Sequence, residues 1–205
     1  MRRIAREESR AATATLAEAF RDDALLQIVQ PQQRRRHALA PWFMARSVEY
    51  GLRWGEVWAN DDVSAVAVWV PPQSGPISPG RLLRSGWGAM PFRAGLAGSR
   101  RFLAATSALE PFHAAVHGPH WYLFTVGVRE AVRGKGLGSA LVSIGTGRAD
   151  ADGVACYLET GSPANIDLYR GHGFRVVGQV DCQGFTLTGM LRPPGGHPVD
   201  ESEST

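Results

Sequence analysis

The stretch Arg133–Leu141, RGKGLGSAL, follows the apolar run WYLFTVGV and sets glycines at 134, 136 and 138. Glycines so spaced let backbone approach a ligand closely, and side chains at those positions would block it. A phosphate-binding loop of the form Gly-x-x-x-x-Gly-Lys-Ser/Thr would need glycine at 129 and a hydroxyl at 136. Arg129 and Gly136 stand there, so the magnesium ligand is missing. A dinucleotide fingerprint, Gly-x-Gly-x-x-Gly, fails at Ser139 when begun at Gly134 and at Leu141 when begun at Gly136. What remains is a strand, an Arg-x-x-Gly-x-Gly loop and a helix. There the N–H groups from Arg133 through Gly134, Lys135, Gly136, Leu137 and Gly138 to Ser139 can turn toward an anion at a helix N-terminus. An ordinary strand-to-helix turn with packing glycines gives the same pattern.

Other reactive residue types carry less. His113 and His117 have the i, i+4 spacing that can present two imidazoles to one metal. No carboxylate completes a metalloprotease pattern, and Gly118-Pro119 breaks the element before His120, so no metal is expected and the histidines read as surface or pocket residues. Cys156 sits mid-strand in VACYLET, a place for a small buried hydrophobe rather than a nucleophile.

The elements that must position the loop follow from periodicity. A short strand is expected over 3–6, then a helix capped by Ser9 with Ala12, Leu16, Ala19 and Phe20 on one face. RRRHALAPWFMARSVEYGLRWG reads as a second helix with Pro41 as a kink or boundary. GEVWAN and VSAVAVWV read as a hairpin around Asp61-Asp62. A Pro/Gly/Ser connector then leads into helical pieces broken at glycines and prolines, an insertion spanning about 71–119. Beyond it come the strand HWYLFTVGV, the glycine loop and its helix, the strand VACYLET, a short helix NIDLYRGHG, and two closing strands, FRVVGQVD and GFTLTGML. Alternation of this kind indicates an α/β domain. With 205 residues, 44% of them hydrophobic, one domain over 1–192 and a disordered tail over 193–205 are expected.

The net charge is +3, and Lys135 is the sole lysine among 22 basic residues. Clusters such as Arg34-Arg35-Arg36 read as solvated helix faces, so nucleic-acid binding is not expected. The polar start MRRIAREESR shows no secretory signal and no window is long enough to span a bilayer, so a reduced, cytoplasmic protein without a membrane partner is expected.

TVGVREAVRGKGLGSAL followed by CYLETGSPANIDLYRGHGFRVVGQV resembles the Gcn5-related N-acetyltransferase (GNAT) superfamily. Arg133-x-x-Gly136-x-Gly138 matches its pyrophosphate loop, and Leu168-Tyr169 with Gly173-Phe174 its later signature. The match is strong over about 120–180. Within the superfamily, VWANDDVSAVAVWV, TVGV, GKGLGSA, LETGSPANIDLY and the helical insertion resemble puromycin N-acetyltransferase-like members. The resemblance implies a central, mixed, mostly antiparallel twisted sheet flanked by helices, with the insertion between strands 3 and 4. It implies acetyl-CoA as cosubstrate, and homodimers are common in the superfamily.

The resemblance also implies roles. The strand ending Val126-Gly127-Val128 should splay from VACYLET and pair its backbone with the pantetheine arm, while the glycine loop holds the pyrophosphate. Ser162 and Asn165 should lie near the arm, although many relatives carry asparagine at the position of Ser162. Tyr169 matches a tyrosine near the sulfur, suited to protonate the leaving thiolate. Glu159, at the end of its strand, can deprotonate the amine directly or through water, or only orient substrate; Glu56 and Asp23 are weaker alternatives. An alkyl amine is protonated near neutral pH, so a base is required. The expected activity is direct acetyl transfer to a primary amine of a small molecule, an antibiotic or aminoacyl-type compound being favoured. The rivals are a protein or peptide N-acetyltransferase and a non-catalytic acyl-CoA sensor.

Overall fold

A computed structural model describes residues 1–75 and 77–196. The strands are β1 (Arg2–Arg3), β2 (Glu56–Ala59), β3 (Ala65–Val70), β4 (His120–Val128), β5 (Ala155–Thr160), β6 (Arg175–Cys182) and β7 (Phe185–Arg192). They form one sheet in the order β1-β2-β3-β4-β5-β7-β6. Among the described residues only β4 and β5 pair in parallel; the other pairs are antiparallel. The helices are α1 (Ser9–Phe20), α2 (Ala24–Val29), α3 (Gln33–Trp54), α4 (Pro79–Arg84), α5 (Met90–Ala114), α6 (Leu137–Asp152) and α7 (Pro163–Arg170). None of the described helices is long and apolar enough to cross a membrane.

The sheet separates two cores, and β3 shows why. Its sequence AVAVWV is apolar at every position, as a strand covered on both faces requires. Val66 and Val68 pack with α1 and α3, while Ala65, Ala67 and Trp69 pack with α6. Trp69 fits only because Gly145 of α6 has no side chain; a Cβ there would stand 2.2 Å from Trp69 Cε2. The insertion docks by the same device: Phe112 of α5 occupies space that a Cβ at Gly178 of β6 would take.

Several local expectations are corrected. The first strand stops at Arg3 because Ala5 N–H donates to Glu8 Oε2 at 3.0 Å and begins a 3-10 turn over Arg6–Glu8. Ser9 therefore opens α1 without a side-chain cap bond. α3 runs through Pro41 unbroken. In the insertion, α5 breaks at Gly95, whose φ of 74° and ψ of 169° are not helical, but it continues through Pro111. α2 has no counterpart among the expected elements. It is capped by Asp23, which accepts from Leu25 N–H at 2.9 Å. Buried Arg36 ties the segments on either side of α2, bonding Arg21 O and Asp22 before it and Pro31 O after it. Of the tail expected to be disordered, Pro193–Gly196 form a turn held by Gly195 N–H on Asp150 Oδ1 at 2.9 Å; residues 197–205 lie outside the described residues.

Candidate active site

The site begins with an irregularity in β4. Thr125 pairs with Val68 and Leu123 with Trp69, so Phe124 is an extra residue, a β-bulge. The bulge resets which face each side chain takes. Before it Trp121 and Leu123 face α6, and after it Val126 and Val128 face α6 again. Gly127 faces α1, where a Cβ would stand 2.8 Å from Ala19 Cβ.

The β4–β5 pairing runs from His120↔Ala155 to Leu123↔Leu158 and stops. Beyond it the two strands separate, as expected. Arg129 N–H bonds Ser64 O on the β3 side, and Val128 O instead accepts from Arg133 Nε at 3.3 Å. Strand alternation then turns the backbone groups of Val128 and Val126 toward the open edge. A cavity of about 1890 Å³ passes through this gap.

The glycine loop lies on the α6 side. Gly134 and Gly136 have φ of 77° and 75°, and a Cβ on either would meet nothing within 4 Å. Backbone handedness is thus what requires glycine at these two positions, more than space. At Gly138 a Cβ would meet only Val128 Cγ2, at 3.6 Å. The first intrahelical bond of α6 is Ala140 N–H to Gly136 O, which leaves the N–H groups of Leu137, Gly138 and Ser139 without helical partners. Arg133, Gly134, Gly136, Leu137, Gly138 and Ser139 line the cavity, while exposed Lys135 does not.

α7 supplies the next wall. Pro163 sits in its first turn, where a missing N–H costs nothing, so the helix starts two residues before Asn165. Ser162, Asn165 and Tyr169 line the cavity. Tyr169 is buried at 4% exposure, with its ring 6.0 Å from Phe174. Burial, with a further contribution from Asp23, holds its phenol above the ordinary tyrosine range, so it carries its proton at neutral pH.

Glu159 approaches from the other face. Its carboxylate accepts from Tyr122 Oη at 3.1 Å and from Tyr157 Oη at 3.2 Å. Burial raises the carboxyl above its ordinary range, the two tyrosines pull it back, and Glu110 of α5 adds to the rise. Leu158 packs with Tyr169, so alternation along β5 puts Glu159 on the opposite side of the sheet. Glu56 does not line the cavity; it is paired with Arg3, Arg148 and Trp58 Nε1, and is removed as a base. Asp23 does line it, at the α2 cap.

The histidine pairing differs from the i, i+4 expectation. His113 Nε2 meets His120 Nε2 at 2.9 Å, and the His113 ring stacks on Tyr157 at 4.4 Å. Burial and His120 lower His113 to about 4, so it is neutral at pH 7. Among the described residues no cluster of three or more His, Cys, Asp or Glu could hold a metal. Cys156 is fully buried and its thiol is pushed up to about 12 by burial, which leaves no thiolate for attack.

Tyr122, Tyr157, Glu110 and His113 were not singled out as a group by the sequence. The alternating run WYLF marks Tyr122 as facing away from α6, but joining it to Glu159 needs the parallel register that sets Tyr122 beside Tyr157. His172, in the turn after α7, lies 2.8 Å from Ser139 Oγ through its Nε2.

Residues 93–174 match the model of the acetyltransferase (GNAT) family. Among solved structures, the chain is similar to a histone acetyltransferase HPA2 and related acetyltransferase from Corynebacterium glutamicum, with 25% identity over 97% of each chain and a TM-score of 0.70. It is also similar in fold to arylalkylamine N-acetyltransferase 2 from Aedes aegypti, at 14% identity over 94% of this chain and 97% of that one, with a TM-score of 0.64. A polyamine N-acetyltransferase from Drosophila melanogaster gives 16% identity over 94% and 98%, with a TM-score of 0.52. The strand order, the glycine loop and these likenesses together indicate an N-acetyltransferase with the GNAT fold.

Proposed function

We propose that the protein transfers the acetyl group of acetyl-CoA directly to a primary amine of a small molecule. The observation that carries this reading is the open edge of β4 between Tyr169 on one face and Glu159 on the other. The residues fit the cosubstrate. N–H groups without helical partners at the start of α6 suit a pyrophosphate, and the backbone of Val126 and Val128 at the open edge of β4 suits the amides of a pantetheine arm. When bound, acetyl-CoA supplies an activated acyl carbonyl with a thiolate as leaving group.

The chain's own residues do the rest. Glu159, with a raised pKa and two tyrosines holding its oxygens, takes a proton from the ammonium, directly or through water. A β4 amide, that of Val126, donates to the acyl oxygen as negative charge develops there. Tyr169 delivers its proton to the departing sulfur. Cys156, buried and with its thiol pushed up to about 12, is not the nucleophile of this direct transfer.

The acceptor half of the cavity combines Asp23, Glu110 and Glu159 with Phe43, Trp87 and Phe102. Neutral His113 adds no repulsion to an approaching ammonium. This lining favours an amine on an apolar or aromatic body. α5 contributes to the same wall, which argues against an open peptide groove. Puromycin heads the test panel because of the sequence resemblance. The test is to supply isotopically labelled acetyl-CoA with a panel of aromatic amines, polyamines and peptides. A labelled amide on a small amine supports the reading; label on peptides alone, or on none, contradicts it.

A further inference from the structure

His172 lies in the turn that ends α7, and its main chain is fixed there. His172 N–H and Phe174 N–H both donate to Tyr169 O, at 2.9 and 3.1 Å, while His172 O accepts from Arg192 Nε at 2.8 Å. Arg192 is buried and grips Asp150 of α6 through both terminal guanidinium nitrogens, at 2.6 and 2.8 Å. A backbone held on two sides aims the imidazole, and it points at the first turn of α6. There Nε2 lies 2.8 Å from Ser139 Oγ, in the same turn whose amides lack helical partners and line the cavity.

We propose that His172 is a positioning residue for the cosubstrate's phosphates: its Nε2–H donates to Ser139 Oγ, so that the Ser139 hydroxyl proton is left to donate to a phosphate oxygen. The inference rests on the pyrophosphate reading of the glycine loop. A serine has one proton to give; the other arrangement, Ser139 donating to His172, would turn an oxygen lone pair toward the anion. With the histidine donating, the cradle gains a charge-assisted hydrogen bond beyond its backbone amides.

The electrostatics fit this role. Burial first and Arg192 of β7 second hold the imidazole below its ordinary pKa, so it is neutral in the free protein. Arg192 is paired with Asp150 of α6, Arg170 of α7 is paired with Asp167, and from α6 the ring meets the uncharged Ser139. A phosphate arriving beside Ser139 favours the imidazolium, so binding takes up a proton. CoA affinity then rises as pH falls through the titration of His172 in the complex, and the gain is lost as pH rises above it.

The test measures CoA binding by calorimetry and acetyl transfer from two donors, acetyl-CoA and S-acetylpantetheine, which lacks the pyrophosphate. His172→Ala should weaken CoA binding about tenfold. Its loss of kcat/KM with acetyl-CoA should exceed its loss with S-acetylpantetheine by a similar factor. His172→Gln keeps a donor at the reach of Nε2, so it should regain most of the affinity while losing the pH dependence of Kd between about pH 5 and 8. Ser139→Ala combined with His172→Ala should be no weaker than Ser139→Ala alone. Equal losses with both donors would mean a disturbed Tyr169 turn and would overturn the inference, as would unchanged CoA affinity in His172→Ala. Wild-type protein that binds no CoA would instead overturn the reading of the loop, and this inference with it.

Discussion

Glu159 and Tyr169 reach the gap between β4 and β5 from opposite faces of the sheet. Leu158, next to Glu159, packs against the core that contains Tyr169, while the Glu159 carboxylate is held by Tyr122 and Tyr157 on the other face. A base on one side and an acid on the other are what an amine attacking across a thioester requires.

Tyr169→Phe removes the proposed proton donor and keeps the ring that packs with Phe174. Turnover should fall about a hundredfold or more, with CoA affinity nearly unchanged. Steady-state kinetics and a binding titration together check this, and unchanged turnover would remove Tyr169 from the mechanism.

In the proposed mechanism Glu159 acts as a base, and only when deprotonated. Its raised pKa means that kcat/KM falls with decreasing pH earlier than for an ordinary carboxylate. Tyr122→Phe deletes one of the hydrogen bonds that stabilise the charged form, so the acidic limb should move to higher pH. Glu159→Gln should lose that limb and about a hundredfold in kcat/KM. An acidic limb that survives in Glu159→Gln would assign the base elsewhere, with Asp23 first in line.

Two glycines of one segment should respond with opposite signs. Gly136→Ala forces an L-residue into a left-handed conformation and should cost about 1–2 kcal/mol. At this chain length each kcal/mol lowers Tm by about 2–4 °C. Gly147, exposed in the middle of α6 with open space where a Cβ would go, should gain about 0.5–1 kcal/mol on substitution by alanine. Thermal melts of the two variants read both signs.

Cys156→Ala should retain turnover, because a buried thiol pushed up to about 12 has no part in direct transfer. Loss of activity with an unchanged melting curve would point to a covalent acetyl-cysteine.

Where the chain marks structure locally, it could be read directly. The continuous apolar run of β3, the alternation of β4, the glycine loop and the helix after it fell where periodicity and turn chemistry put them. So did the separation of β4 from β5, implied by the resemblance. What was not legible depends on register and on contacts between distant segments. α2 is only a turn and a half long, too short for a periodic signal, and the segments flanking it are held by Arg36 from α3. The bulge at Phe124 leaves no mark in composition, yet it decides the faces of Val126 and Gly127. The tyrosines around Glu159 come from two strands, and the histidine facing them comes from α5. The His113–His120 contact crosses the Gly118-Pro119 break that argued against grouping them.

The central claim is that acetyl-CoA lies in the gap between β4 and β5 and gives its acetyl group to a small amine. The most direct measurement is release of free CoA thiol from acetyl-CoA with and without each amine of the panel. The account predicts release that depends on a small amine, saturates with it, and is strongly reduced in Tyr169→Phe. Tight acetyl-CoA binding with no amine-dependent release from any small amine would contradict it.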